Sequence, residues 1–505
     1  MKKRFSESEF WSLHKKVYEN LGPKAWTHEG VPCYLTTSPF ILTRYAHLFE
    51  LQLKFWLSQG RLNPDDTIYI LDLGCGVGRC GYLLLNLTQE LFDSFPVRLK
   101  YVFVDFAEEN LQFILEHPDL RIFFDKGISD VACLDATCDE KMTLRLSQEV
   151  IEADRLTNPV LVIANYFFDS LPHDLFLSEV GTLYEMHGDL VTPEGIETLP
   201  RAMRSAQLSV NRGKEVDPDS YYSQPSWNYA LKALHDVKFK NDFNLPIGAF
   251  RALDLISSWS PAGYCLLASD QGSAVPHVLD EIGGHCISSP AMGSVSVNYL
   301  SLQHYLHATQ QDAKITQASD NSFLVTAMAT DRSSGNCLFP LFSTFFNEFG
   351  MVEYWQVVNC FKEDGNKSLD FIEYMIRLGS YDPAVFFSCF DSIRSGLPSL
   401  NSDKRKSWID CLIQVAKAFF PITTRDYPLL GDIGVLLFDL GAFQEALEIL
   451  LRVLALDGGQ EQTEYNIKIC LKAMDRAEEF EKIRQQVASD LARSISTPCS
   501  NELFE

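Results

Sequence analysis

The chain has 505 residues, 46% of them hydrophobic and 22% charged, with a formal net charge of −24. That length exceeds what one hydrophobic core usually organises, so two or more domains are expected. The acidity argues against a nucleic-acid partner, whose recognition relies on Lys and Arg neutralising phosphates, and no apolar run of about 18 residues marks a transmembrane helix.

The opening "MKKRFSESEFWSLHKK" is too polar for a secretory h-region. From about 66 to 172, apolar strands then alternate with helical stretches. "TIYILDL" (67–73) reads as a strand and "RCGYLLLNLTQELF" (79–92) as a helix. "LKYVFVDF" (99–106) is a second strand followed by the helical "AEENLQFILEH", "LRIFFD" (120–125) a shorter strand, and "VLVIAN" (160–165) a strong one. Such alternation implies βαβ units and a parallel sheet covered by helices. The stretch 186–250 is polar and aromatic with weak periodicity, and reads as insertions and helices over the sheet. "GYCLLASDQG" (263–272) is a later strand ending in Asp270, Gln271 and Gly272.

"SSGN" (333–336) reads as a linker, and the chain beyond it has a helical pattern. "GDIGVLLFDLGAFQEALEILLRVLALDGG" (431–459) resembles the 34-residue tetratricopeptide unit. Leu430, Ile433, Gly434 and Leu437 fall at its first-helix positions, Gly441 at its turn, and Ala446, Leu450 and Val453 at its second-helix positions. Gly458 stands where the repeat usually has Pro. The alternative is a generic helical cap on the first domain. The boundaries read as 1–332 and 333–505.

The 13 cysteines are scattered, and neither Cys75/Cys80 nor Cys133/Cys138 has His at zinc-site spacing. Reduced thiols in a cytoplasmic protein are expected, with no metal site. An acidic surface also suits a cationic peptide or protein partner.

The chemistry concentrates in two places. "ILDLGCGVG" puts Gly74, Gly76 and Gly78 after a strand and at the mouth of a helix, where glycines let the backbone approach a ligand. The second strand ends at Asp105, where an acid can accept both hydroxyls of a ribose. The dinucleotide pattern G-x-G-x-x-G would need glycine at Arg79, a basic residue that a pyrophosphate would nonetheless tolerate. With Asp72 ahead of the loop, the form is instead D-x-G-x-G-x-G, the hallmark of class I methyltransferases that use S-adenosylmethionine. The loop would pass under a zwitterionic amino acid whose ammonium Asp72 holds. A nicotinamide enzyme and a nucleotide-free α/β core remain as alternatives. The second place is "PVLVIANYFFDSLP" (159–172), where a buried strand delivers Asn165 and Asp169 to the carboxyl edge at which α/β ligands bind. Phe167 and Phe168 read as core more than as pocket walls.

"YLTTSPFI" (34–41), "VIANYFFDSLP" (162–172) and "LLASDQG" (266–272) together resemble the MidA-like methyltransferase family over roughly 25–310. "SVSVNYLSLQHYL" (294–306) is similar to the family's later strand-helix segment. Members include the mitochondrial complex I assembly methyltransferase, which modifies an arginine of a protein subunit. The resemblance implies a Rossmann-like class I methyltransferase sheet with S-adenosylmethionine as cofactor, followed here by an all-α helical-repeat domain. It implies that Thr37, Ser38 and Pro39 line the cofactor pocket, that Gly74, Gly76 and Gly78 form the cofactor loop, and that Asp105 meets the ribose. Asn165 would sit at the methyl-transfer end with Asp169 close by. Two positions depart: the family's acid after Asn is Tyr166 here, and its D-Y-G tyrosine is Gln271. The expected function is methylation of a protein side chain, arginine among the candidates, with the helical domain recruiting a partner. The alternatives are a catalytically inactive scaffold and a small-molecule methyltransferase.

Overall fold

The computed structural model describes residues 3–27, 34–191, 203, 205, 207–285, 287–289, 293–316, 323–363 and 367–495. Cys33, Cys286, Cys499 and part of 186–250 therefore lie outside the described residues. The described residues fall into two compact units. One lies within Met1–Thr37, Arg44–Leu111 and Gly127–Val352, the other within Ser38–Thr43, Gln112–Lys126 and Glu353–Glu505.

The first unit is built on a seven-stranded sheet. Its strands are β1 (Ile68–Leu73), β2 (Leu99–Asp105), β3 (Ser129–Cys133), β4 (Val160–Asn165), β5 (Tyr264–Asp270), β6 (Asp312–Ile315) and β7 (Leu324–Ala329), in the spatial order β3-β2-β1-β4-β5-β7-β6. The first five run parallel, β7 lies antiparallel to β5, and β6 antiparallel to β7. Strands buried on both faces read as near-continuous apolar runs, and every residue of β1 and β2 is buried. Leu71, Val102, Val162 and Leu266 join the core cluster, into which helices pack Phe250, Trp259 and Tyr305. Strand order reverses between β1 and β4, creating the switch point outside whose carboxyl ends α/β ligands bind. The register sets Asp72 level with Phe103 and Ile163, Asp105 with Cys133, and Asn165 with Ser269.

Several local readings change. The apolar run 120–125 is not a strand but part of the helix Pro118–Asp125. Pro118 occupies its first turn, the Asp119 N–H donates to His117 Nδ1 at 3.2 Å, and Leu120 and Phe123 bury one face at helical spacing. The third strand lies just beyond, masked by Asp130, whose buried carboxylate accepts the N–H groups of Val131, Leu146 and Ser147 at 2.8–2.9 Å. The helix expected over 79–92 divides into α helices Arg79–Leu87 and Gln89–Ser94 at Thr88, whose hydroxyl donates to the Leu84 carbonyl at 2.6 Å. "SSGN" lies inside the helix Arg332–Ser343. Its Ser and Asn read as loop residues, but Asp331 caps the helix by accepting the Ser334 N–H at 2.9 Å. The stretch 186–250 contributes to a second, antiparallel sheet of four strands: Phe243–Leu245, Asp174–Glu179, Thr182–Val191 and Gln207–Glu215. Phe5, Phe10 and Trp11 form a cluster with Leu175 and Met186 of that sheet.

The second unit is helical. Helices Asp426–Asp439 and Phe443–Asp457 pair around Gly434, where a Cβ would stand 3.0 Å from Leu450 Cγ. Gly441 makes the turn at φ +81°, and Gly458 ends the second helix left-handed. The helix Pro118–Asp125 belongs to this unit. Arg452 grips Asp119 with Nε and Nη2 at 2.7 and 2.6 Å, and donates to the Ala416 carbonyl at 2.6 Å. Among the described residues all cysteines are free thiols, no helix is long and apolar enough to cross a membrane, and no His/Cys/Asp/Glu group is placed to hold a metal.

Candidate functional site

A cleft opens at the carboxyl ends of β1 to β4, with about 1100 Å³ of empty space when its solvent-open mouth is counted. Its floor is the glycine loop. Gly74, Gly76 and Gly78 hold φ of +68°, +55° and +79°, the left-handed region that side chains disfavour. The loop extends the pairing with β2, since the Gly74 and Cys75 N–H groups reach the Val104 carbonyl at 2.9 and 3.1 Å. A Cβ on Gly74 would lie 3.1 Å from Phe167, and one on Gly76 2.6 Å from the Trp26 indole. Asp105 also fastens the loop, accepting the Gly76 N–H at 2.9 Å and the Ala107 N–H at 2.8 Å. Burial pushes its carboxyl up to about 6, against the pull of those backbone donors.

Two ionisable side chains flank this floor. Asp72 is buried on the cleft wall and accepts the Tyr101 hydroxyl at 2.9 Å. Burial raises its carboxyl to about 7, with the Tyr101 bond opposing and the Asp105 charge adding. No ion pair among the described residues reaches it. Arg79, the first residue of the helix after the loop, lies with its guanidinium carbon 5.3 Å from the Tyr34 ring centre. Its Nε is buried without a hydrogen-bond partner among the described residues.

At the end of β4, Asn165 lines the cleft with its amide engaged by the protein. Oδ1 accepts the Tyr45 hydroxyl at 3.2 Å and the Ser269 hydroxyl at 2.7 Å, while Nδ2 donates to the Thr36 carbonyl at 3.1 Å. The next residue, Tyr166, turns left-handed at φ +48° with its N–H on the Ser269 carbonyl at 2.8 Å. That reversal brings Phe167 into the cleft and sends Phe168 into the core. Asp169 is buried and turned toward Asp270, whose Oδ1 accepts the Asp169 N–H at 3.4 Å; the Ser170 hydroxyl donates to Asp169 at 3.0 Å. Burial raises both carboxyls, Asp270 far above the carboxylate range because the Asp169 charge stands beside it. Asp72, Gly74, Asp105 and Asn165 thus share one cleft with Thr36 and Thr37, and Gly76 and Gly78 shape its floor. Asp169 is not part of its lining. Ser38 belongs to the second unit, where its hydroxyl accepts the Ile41 N–H at 3.5 Å.

Sequence reasoning missed the N-terminal wall. Helix Glu9–Leu21 brings His14 and Tyr18 to the cleft, and the short helix Lys24–Thr27 adds Trp26. Lys15 secures this wall to Asp135, at the end of β3, by a 2.6 Å ion pair. His14 stacks between Trp11 and Tyr18, with ring centres at 5.7 and 5.0 Å, and burial pulls its imidazole down to about 4, so the ring is neutral at neutral pH. The available signal was the stripe Phe10, Trp11, His14, Val17 and Tyr18, helically spaced yet carrying a His and a Tyr among its apolar members.

No family model matches the sequence, and no curated protein does. Among solved structures, a COG1565-superfamily protein of Burkholderia thailandensis is similar, both in its native crystal form and bound to S-adenosyl-homocysteine. Each structure gives a TM-score of 0.36 at 11% identity, covering 64% of this chain and 93% of the other. A candidate O-methyltransferase of Nostoc punctiforme gives 0.26 at 10% identity, covering 64% and 70%. At identities this low and superpositions this partial, the likeness assigns neither fold nor ligand to this chain.

Proposed function

We propose that this chain is an S-adenosylmethionine-dependent methyltransferase with a class I sheet, of the MidA-like kind. The observation that carries the reading is the pairing of Asp72, a buried carboxylate that no cation among the described residues reaches, with Arg79, a guanidinium with an unpartnered Nε, on either side of a three-glycine loop. A zwitterionic amino-acid moiety satisfies both, its ammonium on Asp72 and its carboxylate on Arg79. Asp105, held at the tip of β2 by two backbone donors, offers its remaining lone pairs to ribose hydroxyls. Trp26, Phe106 and Phe167 supply faces against which a purine or a sulfonium rests.

When bound, S-adenosylmethionine supplies a methyl group on a sulfonium for in-line displacement by a nucleophile. The protein's contribution is alignment and exclusion of water. The Asn165 amide, oriented by Tyr45 and Ser269, holds the Thr36 backbone at the cleft wall and so fixes the approach to the β4 end. The acceptor is a protein side chain in this reading. The helical unit, with its tetratricopeptide-like pair around Gly434, recruits the acceptor's carrier, and the net charge of −24 favours a cationic one.

Calorimetric titration with S-adenosylmethionine tests the proposal: binding in the micromolar range is expected, and none at millimolar ligand overturns it. A second reading, a cofactor-binding scaffold without catalysis, draws on Tyr166 in place of the resembling family's acid and on Asp169 turned inward. Transfer of labelled methyl from the donor into a lysate separates the two, since a scaffold binds and labels nothing. Label in the soluble small-molecule fraction indicates a small acceptor instead.

A further inference from the structure

The polar groups at the β4 end of the cleft are largely committed. Asn165 engages three protein partners, and the Ser170 hydroxyl lies 3.3 Å from the Tyr166 carbonyl and 3.0 Å from Asp169. Asp169 itself faces Asp270. His14 is different. It is only 3% exposed, it lines the cleft, and its Nδ1 is buried with no partner among the described residues. No hydrogen bond among the described residues reaches the ring. A buried polar atom left unpaired costs about 1–3 kcal/mol, a cost that a hydrogen-bonding group brought against the ring would offset.

Its neighbours connect it to the turn that follows β4. Tyr18, stacked on His14, has the ionisation of its phenol held up by burial and by the Asp169 and Asp105 charges, with the Ser170 hydroxyl opposing. Trp11, on the other face, stacks on His173 at 5.8 Å, and His173 bonds the Phe168 carbonyl. The ring therefore belongs to a wall that reaches the turn 166–173 through Trp11 and His173, and reaches Trp26 and Phe106 through Tyr18, at ring-centre distances of 6.0 and 6.4 Å. A neutral imidazole there accepts a hydrogen without repelling an adjacent sulfonium, which a protonated one would do.

Resting on the methyltransferase reading, we propose that His14 is the contact for the methyl acceptor, a ring nitrogen taking an N–H or O–H of the incoming nucleophile and so turning its lone pair toward the donor. This makes His14 a substrate-binding residue that selects acceptors carrying a hydrogen on the reacting atom.

The test uses two ligands and needs no knowledge of the natural acceptor. S-adenosyl-homocysteine has nothing at the methyl position, whereas sinefungin carries a primary amine there. The full-length wild type is expected to bind sinefungin about tenfold more tightly, the increment of one hydrogen bond to a charged group. His14→Phe keeps the flat ring, leaves S-adenosyl-homocysteine affinity within twofold, and abolishes the sinefungin preference. His14→Asn and His14→Gln place an amide near one or the other ring nitrogen, and one of the two retains part of it while the other does not. An unchanged preference in His14→Phe overturns the inference, as does equal weakening of both ligands, or failure of both amides to restore it. If His14→Phe does not fold, the Asn and Gln pair decides: one keeping and one losing the preference supports the contact, and identical behaviour overturns it. Failure of the wild type to bind either ligand sinks the methyltransferase reading itself, and this inference with it.

Discussion

Tyr45 donates its hydroxyl to the amide oxygen of Asn165 across 3.2 Å, and through that amide the end of β4 holds the Thr36 carbonyl. The arrangement makes the amide nitrogen the indispensable atom. Asn165→Asp replaces a donor with a carboxylate facing a carbonyl oxygen, so stability should fall by about 1–3 kcal/mol. Affinity for S-adenosyl-homocysteine should fall with it, because Thr36 and Thr37 line the cleft. Tyr45→Phe leaves the Ser269 bond at 2.7 Å in place and should cost only about 0.5–1.5 kcal/mol. Urea unfolding with calorimetry on both variants checks this. An Asn165→Asp variant as stable as wild type would show that the Thr36 tie is incidental.

Gly76 and Gly441 are both left-handed, at φ +55° and +81°, yet their surroundings differ. A Cβ at Gly76 meets Trp26 at 2.6 Å, while one at Gly441 meets nothing within 4 Å. Gly441→Ala should therefore show only the left-handed penalty of about 1–2 kcal/mol and bind S-adenosyl-homocysteine normally. Gly76→Val should displace Trp26 from the cleft wall and remove binding. Retained affinity in Gly76→Val would mean that the ligand does not lie on this loop.

The legible part of the fold came from periodicity. Continuous apolar runs carrying Asp72, Asp105 and Asn165 near their ends read as buried strands delivering polar residues to a sheet edge, and the glycines after the first marked the turn. The run 120–125 misled because a short amphipathic helix and a short strand look alike when Leu120 and Phe123 are three apart. The true β3 was hidden by Asp130, whose polarity is satisfied by backbone donors that no local pattern reveals. His14, Tyr18 and Trp26 lie outside the βαβ repeat and reach the cleft through tertiary packing. The inward turn of Asp169 depends on the left-handed Tyr166, a conformation that residue type does not advertise.

Asp72 and Asp105 each carry a separable part of the pH dependence. Folding raises their carboxyls from 3.8 to about 7 and about 6, so the native state holds more protons than the unfolded chain between those values. The contribution of these two carboxyls to stability then falls as pH rises from about 4 to about 7 and levels off above, while His14 and His173, held down to about 4, contribute in the opposite sense over the same window. Asp72→Asn removes the larger contribution and should raise stability at pH 8 by a few kcal/mol, since each pH unit separating the folded and unfolded values is worth about 1.4 kcal/mol. It should also abolish tight S-adenosyl-homocysteine binding. Melting temperatures of both proteins from pH 5 to 8 provide the check, and parallel profiles would contradict the assignment. Binding of an ammonium to wild type should also expel a proton below about pH 7, visible as a buffer-dependent binding enthalpy.

Arg79 offers the sharpest separation of the cofactor's parts. Its guanidinium rests on Tyr34 and its Nε has no protein partner among the described residues, so a ligand carboxylate gains a preoriented, charge-assisted bond. S-adenosyl-homocysteine has that carboxylate and methylthioadenosine lacks it, while both present the same nucleoside to Asp105. Arg79→Met should weaken the first by about tenfold to a hundredfold, the range expected for loss of a charged hydrogen bond of about 1.5–3 kcal/mol, and leave the second unchanged. Arg79→Lys should recover part of the loss, since the ammonium keeps the charge but not the planar fork. Equal weakening of both ligands would place Arg79 in the scaffold of the loop, and no weakening of either would move the amino-acid end of the ligand elsewhere in the cleft.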